Sequence, residues 1–590
     1  MDQCRAATLA GAYFPGARSE NETWVRGEFQ AVLDQWFDWR KGLFAEDPRA
    51  DSAEARLDPD RLRKREELSQ RLSELCAALT AETPTHTPRY IGHMKAEVSL
   101  PALFGWLAAM LHNPNNTSRE SSRVGSVIEA EAIAMLARMV GYDPAEAQGH
   151  FTSGGTVANF EAVWRARYRL DHWLSLGLYV AETTGERLDP FAAAHMGWDR
   201  FRHLWRTHGL TDGILRGCSA AATSPGEVWR RIGDASGRAY LGPVLLAPGN
   251  KHYSWRKAAN IFGLGEESLW SIALDADGRL DVDHFDALVA RARDQGRPVL
   301  AAVSVAGSTE TGEIDPIHRL HQRIDRWRER DGHHIWRHVD AAYGGFLCSL
   351  LDGPDEAELS ADSAAALRAI AAADSVTIDP HKLGYVPYAC GAFLTRDRAA
   401  YAVSGFDAPY LDRPELGEGK WSSTLEGSRS AAGAAATWLT GRTLGLGPDG
   451  LGAVLAETIR TRRAFQSAVA AALPAVRFLE PADANIVCFS IADAGEPLTR
   501  ANARTDALFD RIHRSSGFSV SRTTLGADYA DVIARHAASH GGARDADRLS
   551  LVRCVFMNPY WAAPEFREAL FPQFIDLVRE AIDPAGRAAA

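Results

Sequence analysis

The residues with the clearest chemical capacity are Asp-Pro-His-Lys at positions 379–382, which follow a β-branched stretch at residues 375–378. That stretch predicts a short strand, so Lys382 would stand near its end. A lysine placed there contributes little to packing, but it can present its amine to a carbonyl compound and form a Schiff base. The chain has seven lysines against 58 arginines. A generic positive charge would be expected to be arginine, which favours a chemical role for Lys382.

A second motif, Thr-Ser-Gly-Gly-Thr at positions 152–156, precedes a helical pattern that runs to about Tyr168. Small residues at a helix start expose backbone N–H groups at the positive end of the helix dipole, where a phosphate can bind. Most turns of this kind are only helix starts, so the motif is weak evidence alone.

Three other residues stand at the ends of predicted elements. Asp340 ends a strand, where a buried carboxylate needs a cationic partner such as a pyridinium nitrogen; a cap on the next turn is the alternative. His252 could stack on a flat heteroaromatic ring, although a structural histidine is the better explanation in isolation. Ser428 precedes a helix and could add a phosphate donor. Together with Lys382 and the turn, these groups would suit one cofactor, pyridoxal phosphate.

Short apolar strands alternate with longer helices from about residue 86 to 435, which predicts a parallel or mixed α/β sheet with ligands at the carboxyl ends of its strands. Residues 1 to about 85 have helical patterns, and a helical stretch at 170–240 interrupts the alternation as an insertion. The tryptophans of that insertion are interpreted as packing anchors. The predicted strands are residues 244–247, 299–305, 335–339, 376–378 and 391–394, with a helix at 316–330.

Composition and charge argue against several classes of protein. The length of 590 residues allows roughly two or three domains, and the net charge of -11 argues against nucleic acid as a partner. Seven scattered cysteines without a Cys-x-x-Cys pair are typical of reduced thiols in a cytoplasmic protein. No apolar window approaches the length of a membrane span, so no membrane partner is expected. His333 and His334 lack spaced ligand partners, so no metal site is predicted.

The motifs, with several longer strings, resemble the group II pyridoxal-phosphate-dependent decarboxylases, and most strongly the large bacterial tyrosine decarboxylases. The resemblance extends from about residue 10 to 560. It implies fold type I, the aspartate-aminotransferase-like α/β fold with a mostly parallel central sheet. The implied domains are a helical N-terminal segment (1–110) packing on the partner of a homodimer, a large cofactor-binding domain (111–440) and a small C-terminal α/β domain (441–590). The strings that carry the resemblance are residues 89–94, 113–116, 149–159, 308–312, 338–345, 378–387 and 553–559.

The resemblance also implies a role for each matching residue. Lys382 would hold the cofactor as a Schiff base, Asp340 would pair with the pyridine nitrogen, and His252 and Ala342 would face the two sides of the ring. The phosphate would lie against Gly154, Gly155, Thr156 and His381, with Ser428 reaching over from the second subunit so that the active sites are shared. Tyr410 would return a proton to the substrate carbon, and Tyr90 and His93 would border the amino acid substrate.

Two positions depart from the family pattern. Arg123 stands where relatives usually have a proline and then a threonine near the substrate, so it could bind a carboxylate or point to solvent. Val305 replaces a threonine that many relatives place beside the ring.

The expected reaction is decarboxylation of an aromatic L-amino acid, L-tyrosine to tyramine and carbon dioxide. An acidic or non-proteinogenic substrate is one alternative, and Arg123 could support an acidic one. Oxygen-dependent aldehyde formation is another, against which Tyr410 argues. A non-catalytic scaffold is a third, against which the intact Lys382, Asp340, His252 and Tyr410 argue.

Overall fold

The protein is described by a computed structural model over residues 2–404, 423–515 and 517–582. Eleven strands and twenty α-helices lie within these residues. The strands are β1 (Gln148–Thr152), β2 (Val244–Pro248), β3 (Leu269–Ile272), β4 (Val299–Val305), β5 (Arg337–Asp340), β6 (Ser375–Ile378), β7 (Gly391–Thr395), β8 (Val476–Phe478), β9 (Ile486–Ile491), β10 (Ser521–Leu525) and β11 (Leu549–Val555). The helices are α1 (Asp2–Tyr13), α2 (Glu22–Gly42), α3 (Pro59–Leu79), α4 (Leu100–His112), α5 (Gly125–Met139), α6 (Gly155–Thr184), α7 (Pro190–Ala194), α8 (Gly197–Thr207), α9 (Asp212–Gly217), α10 (Pro225–Ser236), α11 (Ser254–Ile261), α12 (Val282–Asp294), α13 (Ile317–Asp331), α14 (Ala361–Arg368), α15 (Arg398–Ala402), α16 (Ala432–Thr443), α17 (Ala453–Ala472), α18 (Leu498–Arg514), α19 (Ala530–Ser539) and α20 (Pro564–Ile582).

The larger sheet has seven strands in the order β1-β7-β6-β5-β4-β2-β3. All neighbours from β6 to β3 pair in parallel, whereas β7 is antiparallel to both β6 and β1. The interior strand β4 is apolar apart from one serine, and every one of its residues is buried, as a strand covered on both faces requires. The predicted α/β fold with a mostly parallel central sheet is confirmed.

Helices cover both faces of this sheet, because successive side chains of a strand point to opposite sides. In β2, Val244 and Leu246 pack with α12 and α13, while Leu245 and Ala247 pack with α6, α10 and α11. Because β2, β4, β5 and β6 are parallel, their carboxyl ends meet at one edge of the sheet, between the two helical layers.

The second sheet is antiparallel, with the order β10-β11-β9-β8. It packs with α17, α18 and α20 around a separate apolar cluster that includes Phe465, Phe489 and Phe574. At the other end of the chain, α2 and α3 have no buried residue.

The predicted strands agree with the observed ones to within two residues at each end. The prediction that the helix after the glycine turn ends near Tyr168 was wrong, since α6 continues to Thr184. Leu170, Leu174 and Leu178 extend its buried stripe under the helices that follow, and this tertiary packing prolongs the helix. Packing by the tryptophans of the 170–240 stretch is confirmed: Trp173 and Trp205 are core residues, and Trp198 and Trp229 pack against the core.

Candidate active site

A cavity of about 330 Å³ opens at the carboxyl edge of the large sheet. It brings together residues that are more than 200 positions apart in the sequence, because the strands β2, β4, β5 and β6 end side by side. Its lining comprises Ser153, Gly154, Gly155, Thr156, Val157, Asn159, Asn250, His252, Tyr253, Val305, Gly307, Thr309, Asp340, Ala342, Tyr343, Asp379, His381, Lys382 and Tyr388.

Lys382 stands four residues after the end of β6, where the chain turns tightly. Its Nζ lies 3.2 Å from Oδ2 of Asp379. The backbone N–H of Lys382 donates to the Asp379 carbonyl at 2.9 Å, which fixes the turn that directs the amine into the cavity. The structure thus provides a primary amine at a site lined by polar groups, as attack on an aldehyde requires.

Asp340 is the last residue of β5 and is 5% exposed. Its Oδ2 accepts hydrogen bonds from Asn159 Nδ2 at 2.8 Å and from Trp255 Nε1 at 3.0 Å. The neighbouring His338 is fully buried, and burial lowers its pKa to about 4. His338 is therefore neutral near pH 7, and it leaves the Asp340 carboxylate available to an incoming cation.

His252 lines the same cavity, in the segment between β2 and α11. The hydroxyl of Ser254 accepts from Asn159 Nδ2 at 3.0 Å and lies 2.9 Å from His252 Nδ1. The backbone N–H of Ser254 also donates to Nδ1, so this nitrogen is the acceptor and Nε2 carries the hydrogen. Burial lowers the pKa of His252, which keeps the imidazole neutral and suited to stacking.

The N-terminus of α6 forms the third wall. Gly154 precedes the helix, and the N–H groups of Gly155 and Thr156 have no acceptor within the helix, as at every helix start. A Cβ added at Gly155 would lie 2.7 Å from Asp379 Oδ2 and 3.2 Å from Ala342 Cβ. Only glycine therefore lets the helix start approach this side of the cavity, where the free N–H groups can bind an anion.

These groups fit pyridoxal phosphate on chemical grounds. The Lys382 amine suits its aldehyde, the Asp340 carboxylate suits its pyridinium nitrogen, and the start of α6 suits its phosphate. His252 and Ala342 both line the space between these three groups. Of the residues predicted to bind the cofactor, all but Ser428 line the cavity.

Four predicted residues within the described part of the chain lie outside the cavity lining, namely Ser428, Arg123, Tyr90 and His93. Ser428 is exposed and accepts a hydrogen bond from Asn115 Nδ2 at 3.2 Å. Arg123 is exposed in the turn before α5. Tyr90 is buried and its hydroxyl accepts the N–H of His93 at 3.1 Å. Tyr410 lies outside the described residues.

Sequence reasoning missed three side chains in this region. Asn159 and Trp255 fix the Asp340 carboxylate. Asn159 stands one helical turn after Gly155 and thus on the same face of α6, which was a usable signal. Arg553 is 3% exposed, its Nη1 lies 3.4 Å from His93 Nδ1, and its Nε has no hydrogen-bond partner among the described residues.

The described residues contain no group of three or more His, Cys, Asp or Glu side chains arranged to hold a metal ion. Nor does any helix in this part of the chain have the length and apolar character needed to cross a membrane.

Comparison with known proteins identifies related sequences and folds. Residues 235–492 match the family model of the pyridoxal-dependent decarboxylase conserved domain. The L-tyrosine decarboxylase of Enterococcus faecium is 30% identical over 597 residues, covering 93% of this chain and 94% of that protein. The L-tyrosine decarboxylase of Levilactobacillus brevis is 29% identical over 618 residues, covering 95% of each. The solved structure of Oryza sativa TDC with PLP and tryptamine has the same fold, with a TM-score of 0.62 at 17% identity, covering 95% of this chain and 98% of that one.

Proposed function

Since the chain belongs to the family of pyridoxal-dependent decarboxylases, we propose that it converts L-tyrosine to tyramine and carbon dioxide. The observation that carries the proposal is the convergence of Lys382, Asp340 and the start of α6 on one cavity. Similarity to an L-tyrosine decarboxylase over 93% of the chain supports the choice of substrate. The amine of the amino acid substrate would take the place of the Lys382 amine at the aldehyde carbon of the cofactor.

Bound pyridoxal phosphate supplies an electron sink for the electron pair left when the carboxylate departs. The protein's own groups hold the reactants in place. Asp340 would keep a proton at the ring nitrogen, and Asn159 and Trp255 hold that carboxylate still. His252 would pack on one side of the ring, while Gly155 and Thr156 would bind the phosphate through backbone N–H groups.

The product amine requires a proton at the substrate carbon that lost the carboxylate. We assign this step to Tyr410, which the family resemblance implies and which lies outside the described residues. A phenol is a suitable proton donor for this carbon. Lys382 would hold the cofactor again once the product amine, tyramine, has left.

Arg553 and His93 are proposed to lie on the substrate side of the site. Burial and the nearby Arg553 both lower the pKa of His93, so the imidazole is neutral and can accept or donate a hydrogen bond. A buried guanidinium whose Nε–H has no partner among the described residues favours an anionic ligand, and an amino acid supplies one. Arg123 is exposed in the single chain, which gives no support to an acidic substrate.

The functional unit is proposed to be a homodimer with shared active sites. In the single chain, α2 and α3 bury none of their residues, and Ser428 lies outside the cavity. A second chain could cover α2 and α3, and its own copy of Ser428 could complete this cavity.

The test is mass spectrometry of products after the cofactor-loaded full chain is incubated in air with a pool of natural L-amino acids. We expect one new amine, tyramine, and none with Lys382→Ala, which should also lose the visible absorbance of bound cofactor. Lys257→Ala, which removes an exposed lysine, should keep both. A different amine would overturn the substrate assignment, and an aldehyde would overturn the reaction.

A further inference from the structure

The Asp379 carboxylate is buried between Lys382 and the start of α6. It is 2% exposed, and its Oδ2 lies 3.2 Å from Lys382 Nζ. Its Oδ1 is buried without a hydrogen-bond partner among the described residues. A Cβ on Gly155 would lie 2.7 Å from Oδ2, and one on Gly391 would lie 2.8 Å from Oδ1. The carboxylate is thus in direct contact with the backbone of the helix start.

His381 cannot neutralise this carboxylate. Its Nδ1 lies 2.5 Å from the carbonyl oxygen of Cys390, and a carbonyl only accepts, so Nδ1 carries the hydrogen. Burial also lowers the pKa of His381, so the ring is neutral near pH 7. Its Nε2, 3.6 Å from Asp379 Oδ2, then has no hydrogen to donate.

The other titratable groups that face Asp379 are uncharged as well. Burial raises the pKa of Tyr388 to about 12 and raises that of the Cys390 thiol, so both keep their protons. Burial lowers the pKa of His252. Among the described groups that face Asp379, Lys382 is therefore its one cation.

Cofactor binding would weaken that contact and bring in an anion. Bonded to the aldehyde carbon of pyridoxal phosphate, Lys382 Nζ would keep at most one of the three N–H groups of the free ammonium, and that N–H would be held by the new bond to the cofactor. The phosphate would arrive at the N–H groups of Gly155 and Thr156, next to Asp379. Two anions forced into one buried site cannot both stay fully ionised. An amide in place of the carboxylate would avoid the conflict, but this chain has an acid.

We propose that Asp379 and the cofactor phosphate share one proton, so that binding of pyridoxal phosphate takes up a proton from solvent. Asp379 would then donate a hydrogen bond to a phosphate oxygen. The inference rests on the proposed function, because it requires pyridoxal phosphate in this cavity. It makes Asp379 a positioning residue for the phosphate and makes cofactor affinity fall as pH rises.

A second carboxylate provides a matched control. Glu426 accepts the N–H of Ser153 at 3.1 Å on the outer side of the same turn, and it is only partly buried. Water can therefore screen its charge from the phosphate. Glu426→Gln should change proton uptake little.

The experiment is isothermal titration calorimetry of pyridoxal phosphate into the apo form of the full chain near pH 8, in two buffers of different ionisation enthalpy. We expect the wild type and Glu426→Gln to take up about one proton more than Asp379→Asn, since the Lys382 chemistry is common to all three. Between pH 7 and 9 the wild-type Kd should rise about tenfold more per pH unit than that of Asp379→Asn. Equal proton counts in wild type and Asp379→Asn would overturn the inference.

A second measurement needs only the wild type. Pyridoxal has the same aldehyde but no phosphate, so it should bind with about one proton fewer than pyridoxal phosphate, and equal uptake would overturn the inference even if Asp379→Asn did not fold. Failure of pyridoxal phosphate to bind at all would overturn the proposed function too. Binding with equal proton counts would leave that function intact.

Discussion

Asp340 and His252 are joined by the side chains of Asn159 and Ser254. The Asn159 amide donates to Asp340 Oδ2 and to Ser254 Oγ, and Ser254 in turn faces His252 Nδ1 at 2.9 Å. Because the serine hydroxyl accepts from Asn159, its hydrogen is free to point at the imidazole. The charged partner of the cofactor ring and the ring that would stack on it are therefore positioned by one hydrogen-bonded chain.

Replacement of Asp340 tests the one carboxylate in this hydrogen-bonded chain. Asp340→Asn keeps the size of the side chain but removes the counter-charge for the ring nitrogen. We expect kcat to fall by about 10²–10³-fold, the usual cost of losing one preorganised electrostatic contact, while the cofactor still binds through Lys382. Stopped assays of tyramine formation, with bound cofactor measured in parallel, would check this. Unchanged kcat at full cofactor occupancy would exclude the role of Asp340.

At the level of elements, the start of α6 depends on a glycine. Gly155→Ala would place a methyl group 2.7 Å from Asp379 Oδ2, closer than real Cβ contacts allow, so the helix start or the carboxylate must move. We expect pyridoxal phosphate to bind at least about tenfold more weakly, or about 1.4 kcal/mol. Fluorescence titration of the apo form measures this Kd.

Gly226→Ala is the matched control for that substitution. Gly226 is also in the first turn of a helix, α10, but a Cβ there would meet nothing within 4 Å. Its cofactor affinity should equal that of the wild type, and a comparable loss in both variants would mean that the effect is not local.

The segment between β4 and α13 contains a buried acid, Glu313, that should make stability depend on pH. Its carboxylate accepts hydrogen bonds from Ser308 and Thr311, but burial still raises its pKa from 4.5 to about 7. A folded-state pKa above the unfolded value means that the folded protein binds the proton more tightly. This contribution is complete below about pH 4.5 and is lost as pH rises through about 7.

Glu313→Gln removes that titration. The stability of the variant relative to the wild type should therefore increase by up to about 3 kcal/mol between pH 5 and pH 8. Thermal unfolding of both proteins at the two pH values would show it. Glu267→Gln, which changes an exposed carboxylate, is the control; a Glu313→Gln difference that is the same at both pH values would contradict the prediction.

Much of this arrangement was predictable because strand ends are visible in a sequence. His252 and Lys382 follow the ends of β2 and β6, Asp340 is the last residue of β5, and the parallel pairing of these strands through β4 brings the three residues together. The antiparallel direction of β7 was not visible, since a short buried strand looks the same either way. Side-chain partners such as Trp255 and Asp340 were also out of reach, because their contact depends on how α11 packs on the sheet.

At the scale of the whole molecule, the N-terminal helices α2 and α3 bury none of their residues in the single chain. Leu68, Leu72, Leu75 and Leu79 of α3 are 68%, 57%, 55% and 55% exposed. Their spacing of four, three and four residues places them in one stripe along the helix. A solvated helix has no need of such a stripe, whereas a helix packed on a second chain does.

We therefore expect a dimer that depends on this stripe. Light scattering of the wild type should give twice the chain mass of 64.3 kDa, and the double substitution Leu72→Glu and Leu75→Glu should lower it to one chain, because buried unpaired carboxylates oppose association. Leu241→Glu, at a leucine that is 60% exposed in the loop before β2, should remain dimeric. If the double variant kept the dimer mass, the stripe on α3 would not be the interface, and the N-terminal segment would be a solvated hairpin instead. If it became monomeric and lost cofactor affinity as well, the contribution of a second chain to each active site would gain direct support.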